Sequence, residues 1–498
     1  MASEKRGRDL AVGGFRDFFP ELYGKIARIL DVFRRIPKLY GYQEYECPTV
    51  EPLKLYQLKS GAGLIEESFR VTDRKERELV LRPETTPSLA RMLAAQQQYY
   101  SRPIRWFSVS RVFRDETQQR GRVKEFWQLN VDILGVEDVA ADAEVIDVLA
   151  SIIKAIGFNT KDFVIRINDR RLMQSYIESL GLRDFVGIIR TLDRRDKIMQ
   201  EQIESRLREQ KLPAKNVTEI ALLLRRYAQG NKEALGELPR RKKIRELAEN
   251  LPRIIQEAMI NALGEIGVSK DLAMKLFEFS SISGEPKEFL KSMDELDLDA
   301  EIQQSLEPLR QLALYLEELE ITDCCEIDAS IARGLDYYTG IVFEAWDRGA
   351  NIPRAIAGGG RYDDLVDIFG GQRLPGTGFG FGETVILALA EEKGILPPIN
   401  PPASVYLAPV SKNQLTTCRQ IATRLRQSGI STLFNGFPWS LSKHLDDAGK
   451  RKIPLAVIVG PRELAKEAVN VRDMISGEET QVKIDDLAQF VRTCLKRP

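Results

Sequence analysis

Residues 125–134 alternate strictly, with Trp127, Leu129, Val131 and Ile133 on one face and Gln128, Asn130 and Asp132 on the other. A period of two predicts a β-strand. Residues 106–114 alternate less regularly and read as its partner. The segment between them holds Asp115, Glu116, Gln118, Gln119, Arg120, Arg122 and Lys124, with Gly121 to permit a turn, so the pair reads as a hairpin. Apolar positions at helical spacing predict helices over 21–40, where Pro37 should kink or close the last turn, and over 138–156. Strands are expected at 42–50 (broken at Pro48), 162–167 and 341–345, and a second hairpin at 69–81. From about 170 to 320 the pattern changes. Segments 198–210, 217–229 and 239–257 show helical spacing and many charges, with connections at 211–215 and 237–243. After a stiff proline-rich linker at 396–402, the chain reads strand, helix, strand, helix, strand: 404–408, 413–428, 431–434, 440–449 and 455–459.

At 498 residues the chain is too long for one core. Apolar content of 43% and charged content of 29% are those of an ordinary globular protein. No apolar run approaches the roughly 18 residues of a membrane helix. The 73 Lys and Arg cancel the 73 Asp and Glu, so net charge implies no nucleic-acid partner. Distribution changes that picture: from residue 403 on there are fifteen Lys or Arg against nine Asp or Glu. A basic α/β domain of this kind is compatible with RNA binding. Arg240 to Lys243 is a second basic cluster, either a solvated face or an RNA contact. The five cysteines have no metal-ligand spacing, and Cys324-Cys325 reads as buried thiol, which suits a reducing cytoplasm. Residues 1–9 are charged and have no apolar core, unlike a secretory signal. The single histidine, His444, excludes a catalytic histidine in the first 400 residues, most zinc sites, and the serine or cysteine triads.

Candidate chemistry lies on few stretches. Glu84, Thr85 and Thr86 follow Pro83 at a helix start; they either cap it or, as carboxylate and hydroxyls, hold an ammonium. The row Gln128, Asn130, Asp132 is either the wet side of an exposed hairpin or the wall of a site. Arg114 closes the first strand beside it. In A-G-G-G-R-Y-D-D-L (357–365) three glycines let the backbone approach a ligand, with Arg361 and Tyr362 as structural neighbours. The G-K-[ST] ending of a Walker loop is absent.

The pattern F-R-x-E…G-R…E-F-x-Q (113–128) resembles the second signature of class II aminoacyl-tRNA synthetases, and Q-L-N-V-D (128–132) its histidyl-tRNA synthetase form. The helix entering 42–50 with Pro48 resembles the first signature, which forms the family's dimer interface. R-P-E-T-T (82–86) resembles the place where histidyl-tRNA synthetases hold the substrate amino group. R-G-L-D-Y-Y-T-G-I-V-F-E (333–344) and A-G-G-G-R-Y-D-D-L are the blocks most particular to that family and its relatives. The segment K-R-K-I-P-L-A-V-I-V-G (450–460) resembles its anticodon-binding domain.

This resemblance implies an α/β (α+β) protein: a class II antiparallel sheet flanked by helices, a mainly helical insertion, and a small C-terminal α/β anticodon-binding domain. The expected boundaries are 1–168 and 323–398 for the two parts of the catalytic domain, 169–322 for the insertion, and 403–498 for the last domain. It implies a homodimer without membrane segments that ligates L-histidine to tRNA(His), using ATP with Mg²⁺ and no other metal. Catalytic roles fall to Arg114 and Arg333, at the α-phosphate. Histidine binding falls to Glu84, Thr85, Thr86, Gln128, Asp132, Arg333, Tyr337 and Tyr338, and ATP binding to Arg114, Glu116, Arg122 and Phe126. Gln119 is a candidate contact for the tRNA acceptor end. The sequence departs from the family at three points. Asp132 stands where many members have glutamate, and 116–119 reads E-T-Q-Q rather than E-R-P-Q. In G-T-G-F-G-F-G-E-T-V-I-L (376–387), aligned on Gly378 and Gly382, Thr384 and Val385 replace the acid and the adenine-packing arginine of the third signature. Either ATP is held with one cation fewer, or another arginine moves in. Two alternatives remain at this stage. One is a non-catalytic relative, the regulatory subunit of ATP phosphoribosyltransferase; the other is a synthetase-like protein that joins an amino acid to something other than tRNA.

Overall fold

The structure, a computed structural model, describes residues 12–58, 62–116, 121–210, 214–228, 232–331, 337–349, 352, 354–396 and 401–495. The expected site residues Arg333 and Gln119 lie outside them, as do 211–213 of the expected connection 211–215 and 397–400 of the expected linker. The chain divides after Leu396 into two units.

In chain order the first unit carries β1 (Gln43–Glu44), β2 (Val50–Pro52), β3 (Arg70–Thr72), β4 (Glu78–Leu81), β5 (Ile104–Phe113), β6 (Glu125–Leu134), β7 (Phe163–Asp169), β8 (Ser283–Gly284), β9 (Cys325–Asp328), β10 (Ile341–Asp347), β11 (Ala357–Arg361) and β12 (Gly376–Gly382). Nine strands form one sheet in the order β1-β5-β6-β12-β11-β10-β7-β9-β8; β2, β4 and β3 form a small second sheet. The large sheet is antiparallel except for β1–β5 and β7–β9, so the expected class of fold is the observed one.

Both expected strands of the first hairpin form, ten residues each. Leu129, Val131 and Ile133 on β6 are at most 1% exposed. They share one cluster with Ile29 and Phe33 of the helix Pro20–Leu39 and with Val145 and Leu149 of the helix Ala140–Ile156. Burial of each such side chain contributes about 1.5–3 kcal/mol, which fixes which face of β6 points inward. Helix Pro20–Leu39 buries Ile26, Ile29, Leu30, Phe33 and Ile36, the stripe a 3.6-residue period requires. Pro37 does not end it. The helix runs two residues further and stops where Gly41 takes φ +81°. The Pro37 carbonyl accepts from the amides of Tyr40 and Tyr42 in that last turn. The expected strand at 42–50 reduces to β1, and the chain resumes pairing only at β2.

Between β7 and β9 the described residues are helical apart from β8 and short connections, from Arg170–Ser179 through Ala300–Glu318. Segment 239–257, which shows helical spacing throughout, is divided at Asn250 into Lys242–Glu249 and Leu251–Glu265, because Pro252 suits only the first turn of a new helix. Buried side chains of this stretch, among them Met259, Leu276 and Leu309, join the sheet core in one continuous cluster. Among the described residues, no helix is long and apolar enough to cross a membrane.

The second unit has its own cores. It carries β13 (Val405–Pro409), β14 (Thr432–Leu433), β15 (Leu455–Val459), β16 (Ala468–Asp473) and β17 (Glu479–Lys483), ordered β14-β13-β15-β16-β17. Its first three strands are parallel, as strand–helix–strand alternation predicts. The antiparallel β16–β17 extension is an addition to the sequence reading; β17 buries only Val482, too little alternation to reveal a strand.

Candidate active site

The polar row of β6 does not face water. Asp132 is 1% exposed, Asn130 3% and Gln128 7%. The reason lies in its two neighbours. Asp132, Asn130 and Gln128 pair with Trp106, Ser108 and Ser110 on β5, and with Gly378, Gly380 and Gly382 on β12. Directly opposed residues share a face, so small side chains flank most of the row and leave room above it. In β12 glycines alternate with Thr377, Phe379 and Phe381, which are buried in the opposite face. A Cβ on Gly376, Gly378, Gly380 or Gly382 would press on Tyr362, Asp132, Gln128 or Phe126 respectively. None of the four has positive φ. These glycines supply space rather than backbone freedom.

The result is a cavity of about 520 Å³. Its walls include Glu84, Thr86, Arg114, Glu116, Arg122, Phe126, Gln128, Asn130, Asp132, Tyr337 and Tyr338. All the described residues expected at the site are therefore together except Thr85. Thr85, the residue preceding the helix Thr86–Gln96, is fully buried and stands behind the residues that form the wall.

A hydrogen-bonded chain crosses the floor. Arg114 donates from Nε to the Pro83 carbonyl (3.0 Å) and from Nη2 to Gln128 Oε1 (3.4 Å). Gln128 Nε2 donates to Asn130 Oδ1 (2.8 Å), and Asn130 Nδ2 to Thr86 Oγ1 (3.3 Å). The Arg114 guanidinium also lies over the Phe126 ring, 5.4 Å from its centroid. Tyr337 donates to Glu84 Oε2 (3.3 Å). Glu116 and Arg122 form an ion pair at the cavity wall. At the other end Tyr362 donates to Asp132 Oδ1, while Asp132 Oδ2 is buried and accepts from no group among the described residues. Burial pushes the Asp132 carboxyl up to about 7, against the lowering effect of the Tyr362 hydrogen bond.

Tyr362, Glu344, Trp346 and Arg354 also line the cavity and were not assigned to it from the sequence. Of these, Tyr362 stands in the A-G-G-G-R-Y block and Glu344 ends the R-G-L-D-Y-Y-T-G-I-V-F-E block, while Trp346 and Arg354 carried no signal. Arg361, the neighbour of Tyr362, is structural: it donates to Asp142 (2.9 Å from Nε) and to the carbonyls of Val136 (2.9 Å) and Asp138 (3.0 Å), and it is absent from the cavity wall. Thr384 and Val385 stand on the wall at the third-signature position, where Thr384 donates to the Gly121 carbonyl (3.2 Å).

Gly378→Ala is expected to cost about 2–3 kcal/mol, because its Cβ would overlap Asp132 Oδ1 and lie 2.5 Å from the Val131 carbonyl. Gly264→Ala, which would meet nothing within 4 Å, is the control. Urea midpoints at equal m-value read the difference; equal stability of the two variants would contradict this account of the glycines.

A sequence model described as histidyl-tRNA synthetase matches residues 14–274 and 255–383, and one described as anticodon binding domain matches 404–493. The chain is 34% identical to a histidine–tRNA ligase of Pyrococcus furiosus over 97% of its own length and 99% of that protein's. It is 32% identical to the enzyme of Pyrococcus abyssi over 98% and 99%. Among solved structures, a histidyl-tRNA synthetase from a Nostoc species superposes with a TM-score of 0.74 at 25% identity, covering 97% of this chain and 99% of that one.

Proposed function

Since this chain belongs to the histidyl-tRNA synthetase family, we propose that the cavity on β6 is where histidine meets ATP. The activity is histidine–tRNA ligation: ATP-dependent activation of L-histidine to histidyl-adenylate, then transfer to the 3′ end of tRNA(His). One observation carries the assignment of the cavity: a buried carboxylate oxygen, Asp132 Oδ2, without a donor among the described residues at one end, and a guanidinium held on the same sheet face at the other. Gln128, which touches Arg114, and Asp132 are four residues apart, about 13 Å at the usual strand rise. That span suits an amino acid whose side chain reaches one end and whose carboxylate meets a nucleotide at the other.

In this reading the imidazole N–H donates to Asp132, and Tyr338 satisfies the second ring nitrogen. Glu84, Thr86 and Gln128 surround the ammonium, which has three donors and no acceptor. Thr85 supports them from behind the wall. The carboxylate attacks the α-phosphorus, and negative charge grows on the non-bridging oxygens. Arg114 faces that charge and is permanently protonated, planar and already fixed, so little reorganisation accompanies the reaction. Arg333 joins it on the strength of the R-G-L-D-Y-Y-T-G block, and Tyr337 orients Glu84. Phe126 stacks on adenine, with Glu116 and Arg122 toward the phosphates. Glu116, a hard oxygen donor at the cavity wall, fits the Mg²⁺ that accompanies ATP and would neutralise phosphate charge there. Gln119 is proposed to meet the acceptor end of the tRNA.

Residues 169–322 are proposed as an insertion between the catalytic parts 1–168 and 323–398, with 403–498 reading the anticodon. A homodimer through the first signature is proposed on the resemblance of the helix and strand around Pro48 to that signature. Five unbridged cysteines suit a cytoplasmic setting.

Aminoacylation with labelled histidine tests this reading. The full chain should charge tRNA(His). A chain ending at 402, which retains every residue of the first unit's cores, should keep ATP–pyrophosphate exchange within about threefold. It should lose tRNA charging by about tenfold or more at low tRNA concentration, because the basic surplus is removed. Unchanged charging would count against an anticodon role for the second unit.

A further inference from the structure

The helix Glu383–Glu392 offers the cavity only Thr384 and Val385 near its start. A second element reaches the same place. Arg354 lies between β10 and β11 and lines the cavity. Its Cδ comes within 3.9 Å of the point where a Gly121 Cβ would sit, and Val385 Cγ2 lies 3.3 Å from that point. The turn carrying Arg354 is held on both sides. Ile352 and Ile356 are 1% and 2% exposed in the core, and the Arg354 amide donates to the Ile352 carbonyl at 2.8 Å.

Arg122 and Arg225 act on the Arg354 guanidinium, opposed by Glu116 and Glu67, and Glu116 is already engaged by Arg122. Burial, then repulsion by Arg122, lowers its pKa to about 10, with the two glutamates working the other way. Arg354 and Arg122 together put two guanidinium groups on this part of the cavity wall, and a ligand with several negative charges suits such a pair. Of the two substrates assigned to this cavity, only ATP is a polyanion, and a planar fork of donors matches its phosphate oxygens.

We propose that Arg354 contacts the outer phosphates of ATP, supplying from the β10–β11 connection a cation that the helix bearing Thr384 and Val385 does not. The proposal rests on the assignment of this cavity to histidine activation. It adds a nucleotide-binding residue that neither the sequence signatures nor the comparisons designate.

Exchange kinetics on the full-length protein test it, since pyrophosphate carries the same two outer phosphates as a separate substrate. Arg354→Ala should raise KM for ATP and KM for pyrophosphate each by about tenfold or more, with KM for histidine within about twofold. Arg354→Gln keeps the stem beside Val385 and should show the same selective loss, so the test survives if the alanine variant folds poorly. KM values unchanged for both phosphate substrates would overturn the contact. A rise for ATP alone would overturn its placement at the phosphates, and an equal rise for histidine would reduce Arg354 to a structural role. Absence of histidine-dependent exchange in the parent protein would instead refute the function itself, which keeps the two failures distinguishable.

Discussion

Arg114→Ala is expected to lower kcat for histidine-dependent ATP–pyrophosphate exchange by about 10²–10³-fold, the usual loss when one fixed donor to a developing anion is removed. The residue is held before any substrate arrives, by the Pro83 carbonyl at 3.0 Å and Gln128 at 3.4 Å, with its charge over Phe126. An interaction that strengthens as phosphate charge develops lowers the barrier rather than the ground state, so the loss should fall on kcat more than on either KM. Removing the contacts to Pro83 and Gln128 should cost stability only about 1–2 kcal/mol. Lysine should not rescue the variant, because a point charge on a flexible stem cannot reproduce two fixed donors. A near-normal kcat in a folded Arg114→Ala protein would remove the residue from the mechanism.

Asp132→Ala should raise KM for histidine by about 10²-fold or more while changing KM for ATP by less than about threefold. A site built around buried polar groups rejects a ligand that leaves them unpaired far more strongly than an apolar pocket rejects a missing methylene. The same principle works in reverse when the protein loses its half of the pair. The pH dependence follows from the Asp132 carboxyl, pushed to about 7 by burial. Below that value it is protonated and no longer a charged acceptor, so KM for histidine should fall as pH rises from 6 to 8; deprotonation of free histidine near 6.5 acts in the same direction. Stability moves oppositely. An acid whose folded pKa is raised binds more protons folded than unfolded, so its cost appears above about pH 4 and is complete above about 7. Asp132→Asn, which can still accept from Tyr362, should therefore be no more stable than the parent at pH 4. It should be more stable at pH 8 by on the order of 2–4 kcal/mol. Equal effects of Asp132→Ala on the two KM values would place this carboxylate away from the imidazole.

How far the sequence could be read depended on periodicity. The polar row of β6 was visible because a period of two separates it cleanly from Leu129, Val131 and Ile133. That the row is sealed was not visible, since a wet face and a cavity wall alternate identically. Part of the wall comes from Tyr337, Tyr362 and β12, more than 200 positions along the chain. Local spacing cannot register such a contact. The β12 glycines were legible as part of a family signature, but their work is packing: each leaves the volume that Tyr362, Asp132, Gln128 or Phe126 occupies. Arg354 was invisible, being one arginine in a connection without period or motif. Pro37 was read correctly as standing in the last turn, since the helix expected over 21–40 closes at Leu39. A proline in the last turn still permits two more helical residues when its own carbonyl has acceptor work to do and a glycine follows.

The central claim is that the cavity over β6 selects histidine and activates it with ATP. ATP–pyrophosphate exchange measured with each of the twenty amino acids tests it most directly. Histidine alone should support exchange well above background. Exchange driven by a different amino acid, or by none, would contradict the account.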